Sequence, residues 1–288
     1  MGEIRIVTDS TANLTQEEIE KYNIEVVQLY LLFKTKHKKA VAFLKDSDLD
    51  RDLFYQSLIE DKNNVPEPYQ PYVQDIVDVY KKLQNEGTKI IFSIHISSKI
   101  SGTIEETKMA RLMVPGINIF TVDSKTTSTN LGYLVKGAAK LAMESKNYNE
   151  IFIWLNKRIM SQETLVTLNN IDYLRWGRWA SGWKSKFISF FNYKQLALFQ
   201  GSFDNLTIME NSKSIKTNIE KMYEWCINKN KSKKIEQINI AHTYIEKETA
   251  YLKNMLLKNF EETKINIIEM SPSLGAYIGP GAIELTIN

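Results

Sequence analysis

Apolar positions along this chain follow two periods. Short apolar runs at 4–8, 25–33, 90–93 and 117–122 read as strands. The stretches 15–22, 48–61, 73–86 and 128–145 repeat apolar side chains every three or four positions and read as helices. Val73, Ile76, Val77, Tyr80 and Leu83 share one helical face, as do Leu131, Leu134, Val135, Ala138, Ala139 and Ala142. Strands separated by helices predict a mostly parallel sheet with helices on both faces. From about residue 150 the order changes: helix 150–160, strand 165–168, a hairpin of 193–199 and 206–210 turning through Gln200-Gly201-Ser202, helix 215–228, strand 238–242, helix 246–260, then strands 265–270 and 282–287. The expected architecture is α/β in two domains: an N-terminal α/β domain over 1–155 and a C-terminal α+β domain over 156–288.

The strand ends carry the candidate chemistry. The run at 90–94 leads into Ser97, Ser98, Ser101, Gly102 and Thr103, and a helical pattern follows. Small hydroxyls and a glycine before a helix N-terminus suit a carboxylate or phosphate, because the first N–H groups of a helix are unpaired and its dipole is positive there. Thr8-Asp9-Ser10-Thr11 and Asp123-Ser124 repeat the arrangement. Ligands of parallel α/β sheets bind beyond the carboxyl ends of the strands, where all three clusters fall.

Composition narrows the classes. The chain has 288 residues, 43% apolar and 25% charged, with a formal net charge of +3, which gives no reason to expect a nucleic-acid partner. No apolar run approaches the ~18 residues of a membrane span, and no signal-peptide pattern opens the chain, so a cytoplasmic location is expected. The single Cys226 fits a reducing compartment. Basic clusters at 34–39 and 229–234 read first as solvated surface. His37, His95 and His242 are far apart and no Cys/His spacing is present, so no metal is expected. Asp46, Asp48, Asp50 and Asp52 alternate like a calcium loop, but Arg51 stands where glycine is needed, and the run reads as helix capping. Nucleotide-loop motifs and a G-x-S-x-G elbow are absent, so no cofactor is expected, and a Ser-based hydrolase or acyltransferase is the weaker alternative. Trp176, Trp179 and Trp183, extended by Phe187, Phe190 and Phe191, form an aromatic stripe that reads as core, as a dimer interface, or as the wall of an apolar ligand site.

In this order and at these separations, several segments resemble the DegV family of bacterial fatty-acid-binding proteins. They are Thr8-Asp9-Ser10-Thr11-Ala12-Asn13-Leu14, Tyr22-Asn23-Ile24-Glu25-Val26-Val27, Gln70-Pro71, the stretch 93–103, Val122-Asp123-Ser124, Asn192-Tyr193-Lys194 and Gly279-Pro280-Gly281. The resemblance covers essentially the whole chain. It implies two α/β-type domains that enclose a long-chain fatty acid or related lipid, a carrier rather than an enzyme. In some members a separate fatty acid kinase subunit receives the lipid for phospholipid synthesis, and transient membrane contact is compatible with such a role. The implied lipid-binding residues are Ser97, Ser98, Ser10, Gln70, Tyr69, Gly102, Trp179 and Tyr277. Ser97 and Ser98 match the family's paired serines. Elsewhere the pattern departs: Pro68-Tyr69 replaces a Thr-Ser pair, Tyr277 replaces a histidine, and Trp179 stands at an arginine's place. These changes remove polar partners for an anionic head group, so an altered ligand or a weakened hold on free fatty acid is expected. A pocket collapsed by Trp179 and Tyr277, leaving an interaction module, is the third reading.

Overall fold

Strand β1 (Ile4–Asp9) runs parallel to β2 (Ile24–Val27) on one side and to β6 (Ile90–His95) on the other, and β7 (Asn118–Asp123) completes the order β2-β1-β6-β7. The structure is a computed structural model that describes residues 3–34, 40–61, 65–144, 147–168, 173 and 194–288. Successive side chains of a strand point to opposite faces, and this sheet uses both. Val7 and Ile91 pack under α3 (Val73–Asn85) and α4 (Thr103–Leu112), whereas Ile6 and Phe92 pack against α5 (Ser128–Met143) and α6 (Tyr148–Ser161). The two helical faces read from the sequence are the faces that become buried. Near its start α5 lies so close to the turn after β1 that a Cβ on Gly132 would sit 2.5 Å from the Ala12 carbonyl oxygen.

The second half builds a six-stranded sheet from β8 (Glu163–Leu168), β9 (Lys194–Gln200), β10 (Ser202–Ser212), β11 (Gln237–His242), β12 (Lys264–Glu269) and β13 (Ile283–Ile287). Their order is β10-β9-β8-β13-β11-β12, with β11 and β12 parallel and the other neighbours antiparallel. Leu165, Leu196, Leu198, Ile240 and Leu285 lie on the face covered by α7 (Ile215–Ser232) and α8 (Glu246–Leu257). Val166, Ala197, Phe199 and Ala241 point the other way and join the cluster that holds Ile6, Phe92 and Leu131. One apolar layer therefore includes side chains from both sheets, and the expected boundary at residue 155 falls inside α6, whose Leu155 belongs to that layer.

Two elements differ from the sequence reading. The run 25–33 is not one strand: β2 ends at Val27, and β3 (Tyr30–Lys34) joins β4 (Ala40–Lys45) and β5 (Glu67–Tyr69) in a separate three-stranded sheet. The break has a local cause. Ser10 Oγ accepts the Leu29 N–H at 3.1 Å and the Leu29 carbonyl accepts from Asp46 N at 2.9 Å, which takes the chain out of the parallel ladder. The second difference is a short buried helix, α9 (Pro272–Ile278), opened by a proline at its first turn. Helix α2 (Arg51–Glu60), capped by Asp50, ties the halves together. Tyr55 donates to the Met270 carbonyl at 2.9 Å, and its ring lies where a Cβ on Gly275 would intrude to 2.6 Å. Among the described residues no helix is long and apolar enough to cross a membrane.

Candidate functional site

The carboxyl ends of β1, β6 and β7 meet at one edge of the first sheet. Asp9 closes β1 and acts as the hub: one carboxylate oxygen accepts from Thr11 N and Thr11 Oγ1, at 3.1 and 2.5 Å. The other accepts from Ile96 N at 2.9 Å and faces His95 Nδ1 at 3.0 Å. His95 Nε2 lies 2.6 Å from Ser93 Oγ, which in turn accepts from the Tyr80 hydroxyl at 2.6 Å. With Tyr80 donating to Ser93, a neutral imidazole would accept the Ser93 proton at Nε2 and present its own proton on Nδ1 to Asp9. This Ser–His–Asp order has hydrogen-bond geometry, but Ser93, His95 and Asp9 are all fully buried and the serine hydroxyl is committed on both sides. A nucleophile needs a reachable oxygen, so the chain of bonds reads as a structural brace that joins α3 to the sheet.

Beyond it lies the hydroxyl-rich loop. Ser98 donates to Asp123 Oδ2 at 2.6 Å and its N–H reaches Asp123 Oδ1 at 3.3 Å, locking the β6 loop to the end of β7. Ser101 Oγ takes the N–H of Thr103 at 3.3 Å, partly capping α4 from within the chain. Ser97 is fully buried; its N–H donates to the Thr126 carbonyl at 2.8 Å. Its hydroxyl oxygen accepts from Lys99 N at 3.3 Å and, among the described residues, donates to nothing. Thr127, next to that carbonyl, is the N-cap of α5 yet makes no capping bond, and its buried Oγ1 has no partner among the described residues. Two buried hydroxyls with unspent protons on adjoining loops form an arrangement that an anionic or carbonyl head group would satisfy.

Of the remaining residues expected at the site, Gly102, Gln70, Tyr69, Tyr277 and Ser10 fall among the described residues. Gly102 is the N-cap of α4, and the Gln70 side chain lies over it, 3.1 Å from where a Cβ would stand. Gln70 Nε2 donates to Glu106 at 3.4 Å. Tyr69 is 40% exposed on the three-stranded sheet, its hydroxyl donating to Glu67 at 3.3 Å and its ring edge-on to Phe43. Tyr277 is buried on α9 within the apolar layer shared by both sheets. Trp179, with Trp176, Trp183, Phe187, Phe190 and Phe191, lies outside the described residues.

Ser10 lines a polar cavity of about 220 Å³ with Asp46, Gln28, Arg51 and Ser271. Burial pushes the Asp46 carboxyl above its ordinary pKa, while the hydroxyl of Ser10, the Ser273 N–H and the hydroxyls of Ser271 and Ser273 oppose the shift. A second cavity of about 280 Å³ is lined by Arg158, Lys229, Lys233 and Lys234, which places much of the basic cluster 229–234 in a cleft. Lys229 is neutralised there by Glu163 at 2.5 Å.

The match to known families decides the wider identity: the family model described as uncharacterised protein, DegV family, covers residues 3–287. The chain belongs to the DegV family. This DegV chain is 27% identical over 291 residues to a DegV domain-containing protein of Listeria innocua, covering 98% of this chain and 97% of that one. Its fold matches DegV of Bacillus subtilis, described as a fatty acid binding protein, with a TM-score of 0.85 at 23% identity over 100% of this chain and 99% of the other. A DegV protein of Thermus thermophilus, described by its fatty acid binding, matches with a TM-score of 0.84 at 21% identity and the same coverage. The architecture expected from the strand and helix order is therefore the DegV fold.

One group in this DegV chain escaped the sequence reading. His242 ends β11, Glu269 ends β12 directly beside it, and Glu246 opens α8. A ring nitrogen of His242 and a carboxylate oxygen from each glutamate lie within 4.8 Å of one another. Burial raises the Glu269 pKa; Arg51 opposes the shift, while Asp52, Glu246 and Asp50 add to it. The signal was the spacing of His242 and Glu246, four residues apart across a strand-to-helix turn. The third member, contributed by the next parallel strand, has no local signature.

Proposed function

We propose that this chain is a carrier that holds a long-chain fatty acid or a related lipid, and that it is not itself a catalyst. The observation that carries the reading is the pair of buried hydroxyls with unspent protons, Ser97 and Thr127, at the sheet edge beside an apolar layer contributed by both halves. A lipid has the matching chemistry: a polar head for the hydroxyls and an apolar tail for the layer, where burial is worth about 0.8 kcal/mol per CH₂. Family membership and the fatty acid binding described for the Bacillus subtilis and Thermus thermophilus proteins support the same reading.

The head-group site is altered from the family pattern. Ser98 spends its hydroxyl on Asp123, Tyr69 turns its hydroxyl to Glu67, and Pro68 supplies none. A free carboxylate would then meet fewer donors, and underpaired buried charge is costly. The proposal therefore favours a weakened hold on free fatty acid or a less charged lipid head. The exposed rings of Tyr69 and Tyr72, clustered with Phe43 near Lys45, give the carrier a face suited to brief membrane contact during exchange. Presentation of the lipid to a fatty acid kinase subunit is the downstream role this implies.

Lipid extraction of purified protein followed by mass spectrometry tests the reading. About one long-chain acyl lipid per chain is expected. Recovery of no lipid, with no uptake of added lipid, would overturn the carrier; stoichiometric palmitate or oleate would overturn the altered head group.

A further inference from the structure

Away from the lipid site, the carboxyl edge of the second sheet gathers one imidazole and two carboxylates, His242, Glu246 and Glu269. His242 is only 6% exposed, and its Nδ1 is buried with no hydrogen-bond partner among the described residues. Buried polar atoms in folded proteins are almost always paired, so this nitrogen calls for an explanation. Two carboxylates stand beside the imidazole, Glu246 exposed and Glu269 half-buried, with one ring nitrogen and one oxygen from each glutamate inside a 4.8 Å span. Among the described residues neither glutamate forms an ion pair. The nearby Arg51 guanidinium donates to the main-chain oxygen of Glu269, at 2.7 Å.

The backbone holds this grouping in place. His242 and Glu269 are register partners on adjacent parallel strands, so their side chains leave the sheet at the same level. Between His242 and Glu246 the chain turns through Tyr244, which adopts a left-handed φ of 55°. A bulky residue in that region is strained and persists only where its surroundings enforce it. Here Tyr55 stacks on the Tyr244 ring at 6.1 Å and Gln56 donates to its hydroxyl at 3.0 Å. The turn aims the first residue of α8 back toward His242.

Two carboxylates beside an imidazole whose Nδ1 has no partner among the described residues, with Arg51 offsetting only part of their charge, would be satisfied together by one divalent cation. We propose that His242, Glu246 and Glu269 form a binding site for a first-row divalent metal ion such as zinc. One imidazole and two carboxylates suit zinc, manganese or ferrous iron, whereas magnesium and calcium favour all-oxygen sites. The exposed Glu246 side chain has the freedom to close the grouping to bonds of about 2.0–2.2 Å. Three protein ligands leave a coordination position to solvent.

Zinc titration of tag-free, chelator-treated protein, followed by calorimetry and by thermal unfolding, tests the site. The wild type is expected to bind one Zn²⁺ per chain with a rise in unfolding midpoint that a chelator reverses, while Mg²⁺ gives neither. His242→Ala and Glu246→Gln are each expected to weaken binding by at least the ~10–100-fold seen when a supporting hydrogen bond to a metal ligand is lost. Glu246 is exposed, so its variant keeps the test readable if His242→Ala fails to fold. Absence of zinc binding to the wild type, or equal binding by a folded Glu246→Gln variant, would overturn the proposal. Lipid content plays no part in these readouts.

Discussion

His95 and His242 each end a strand at the carboxyl edge of a sheet, and each faces carboxylate chemistry, yet their surroundings differ. Both ring nitrogens of His95 are committed, to Asp9 at 3.0 Å and Ser93 at 2.6 Å, and the bonds continue to Tyr80 and Thr11. His242 keeps a buried Nδ1 without a partner, beside two glutamates with no ion pair among the described residues. A closed network holds a fold together, because every proton has a place and none is left for chemistry. An open one leaves a cost that a ligand can remove. The hydroxyl loop contains both kinds within two residues: Ser98 is spent on Asp123, and Ser97 keeps its proton.

The sharpest way to break this comparison is to cut both networks. His95→Ala would strip one donor from the buried Asp9 carboxylate, leave Ser93 without its acceptor and open a cavity where a fully buried ring stood, and is expected to cost roughly 3–5 kcal/mol in urea unfolding at neutral pH. His242→Ala, measured the same way in chelator, removes no side-chain hydrogen bond made among the described residues and is expected to cost less than ~2 kcal/mol. Equal losses would erase the distinction.

Glu284 tests the buried-carboxyl case by pH. It accepts from Thr129 Oγ1 at 2.7 Å and Thr129 N at 3.3 Å, yet burial raises its pKa from 4.5 to about 7, against the opposing bonds from Thr129 and Ser128. The folded chain keeps a proton that the unfolded chain releases above pH 4.5, so the favourable contribution is complete below that pH and lost as pH rises through about 7. Glu284→Gln is expected to flatten this part of the stability–pH curve, gaining on the order of 3 kcal/mol on the wild type between pH 5 and pH 8. A constant gap between the two proteins across that range would contradict the assignment.

The paired serines sharpen the comparison further. Ser98→Ala strips the hydrogen bond from Asp123 and is expected to cost about 1.5–3 kcal/mol of stability. Ser97→Ala is expected to cost under about 1 kcal/mol while reducing lipid retention. Chemical unfolding alongside lipid quantification separates the two, and matched behaviour would show that the loop acts as one unit.

Much of the fold was legible because one-face burial writes a period into the sequence. The faces of α3 and α5 were read from spacing alone, and the strand ends advertised their hydroxyls. The split between β2 and β3 was not legible, because Ser10 and Asp46, distant in sequence, capture Leu29. Nor was the brace: His95 and Asp9 lie 86 positions apart, and only the pairing of β1 with β6 brings them together. The sequence marked Ser97 and Ser98 as alike; Asp123 tells them apart. His242 looked like an isolated histidine until the register of β11 and β12 set Glu269 beside it.

The carrier claim rests on Ser97 and Thr127, and Thr127 makes no capping bond that its replacement would break. Native mass spectrometry of the wild type and a Ser97→Ala, Thr127→Val double variant therefore addresses it most directly. The wild type is predicted to carry a mass increment of one acyl lipid, largely lost in a folded double variant. A wild type without an increment even after incubation with added lipid, or a folded variant that keeps it in full, would contradict the account.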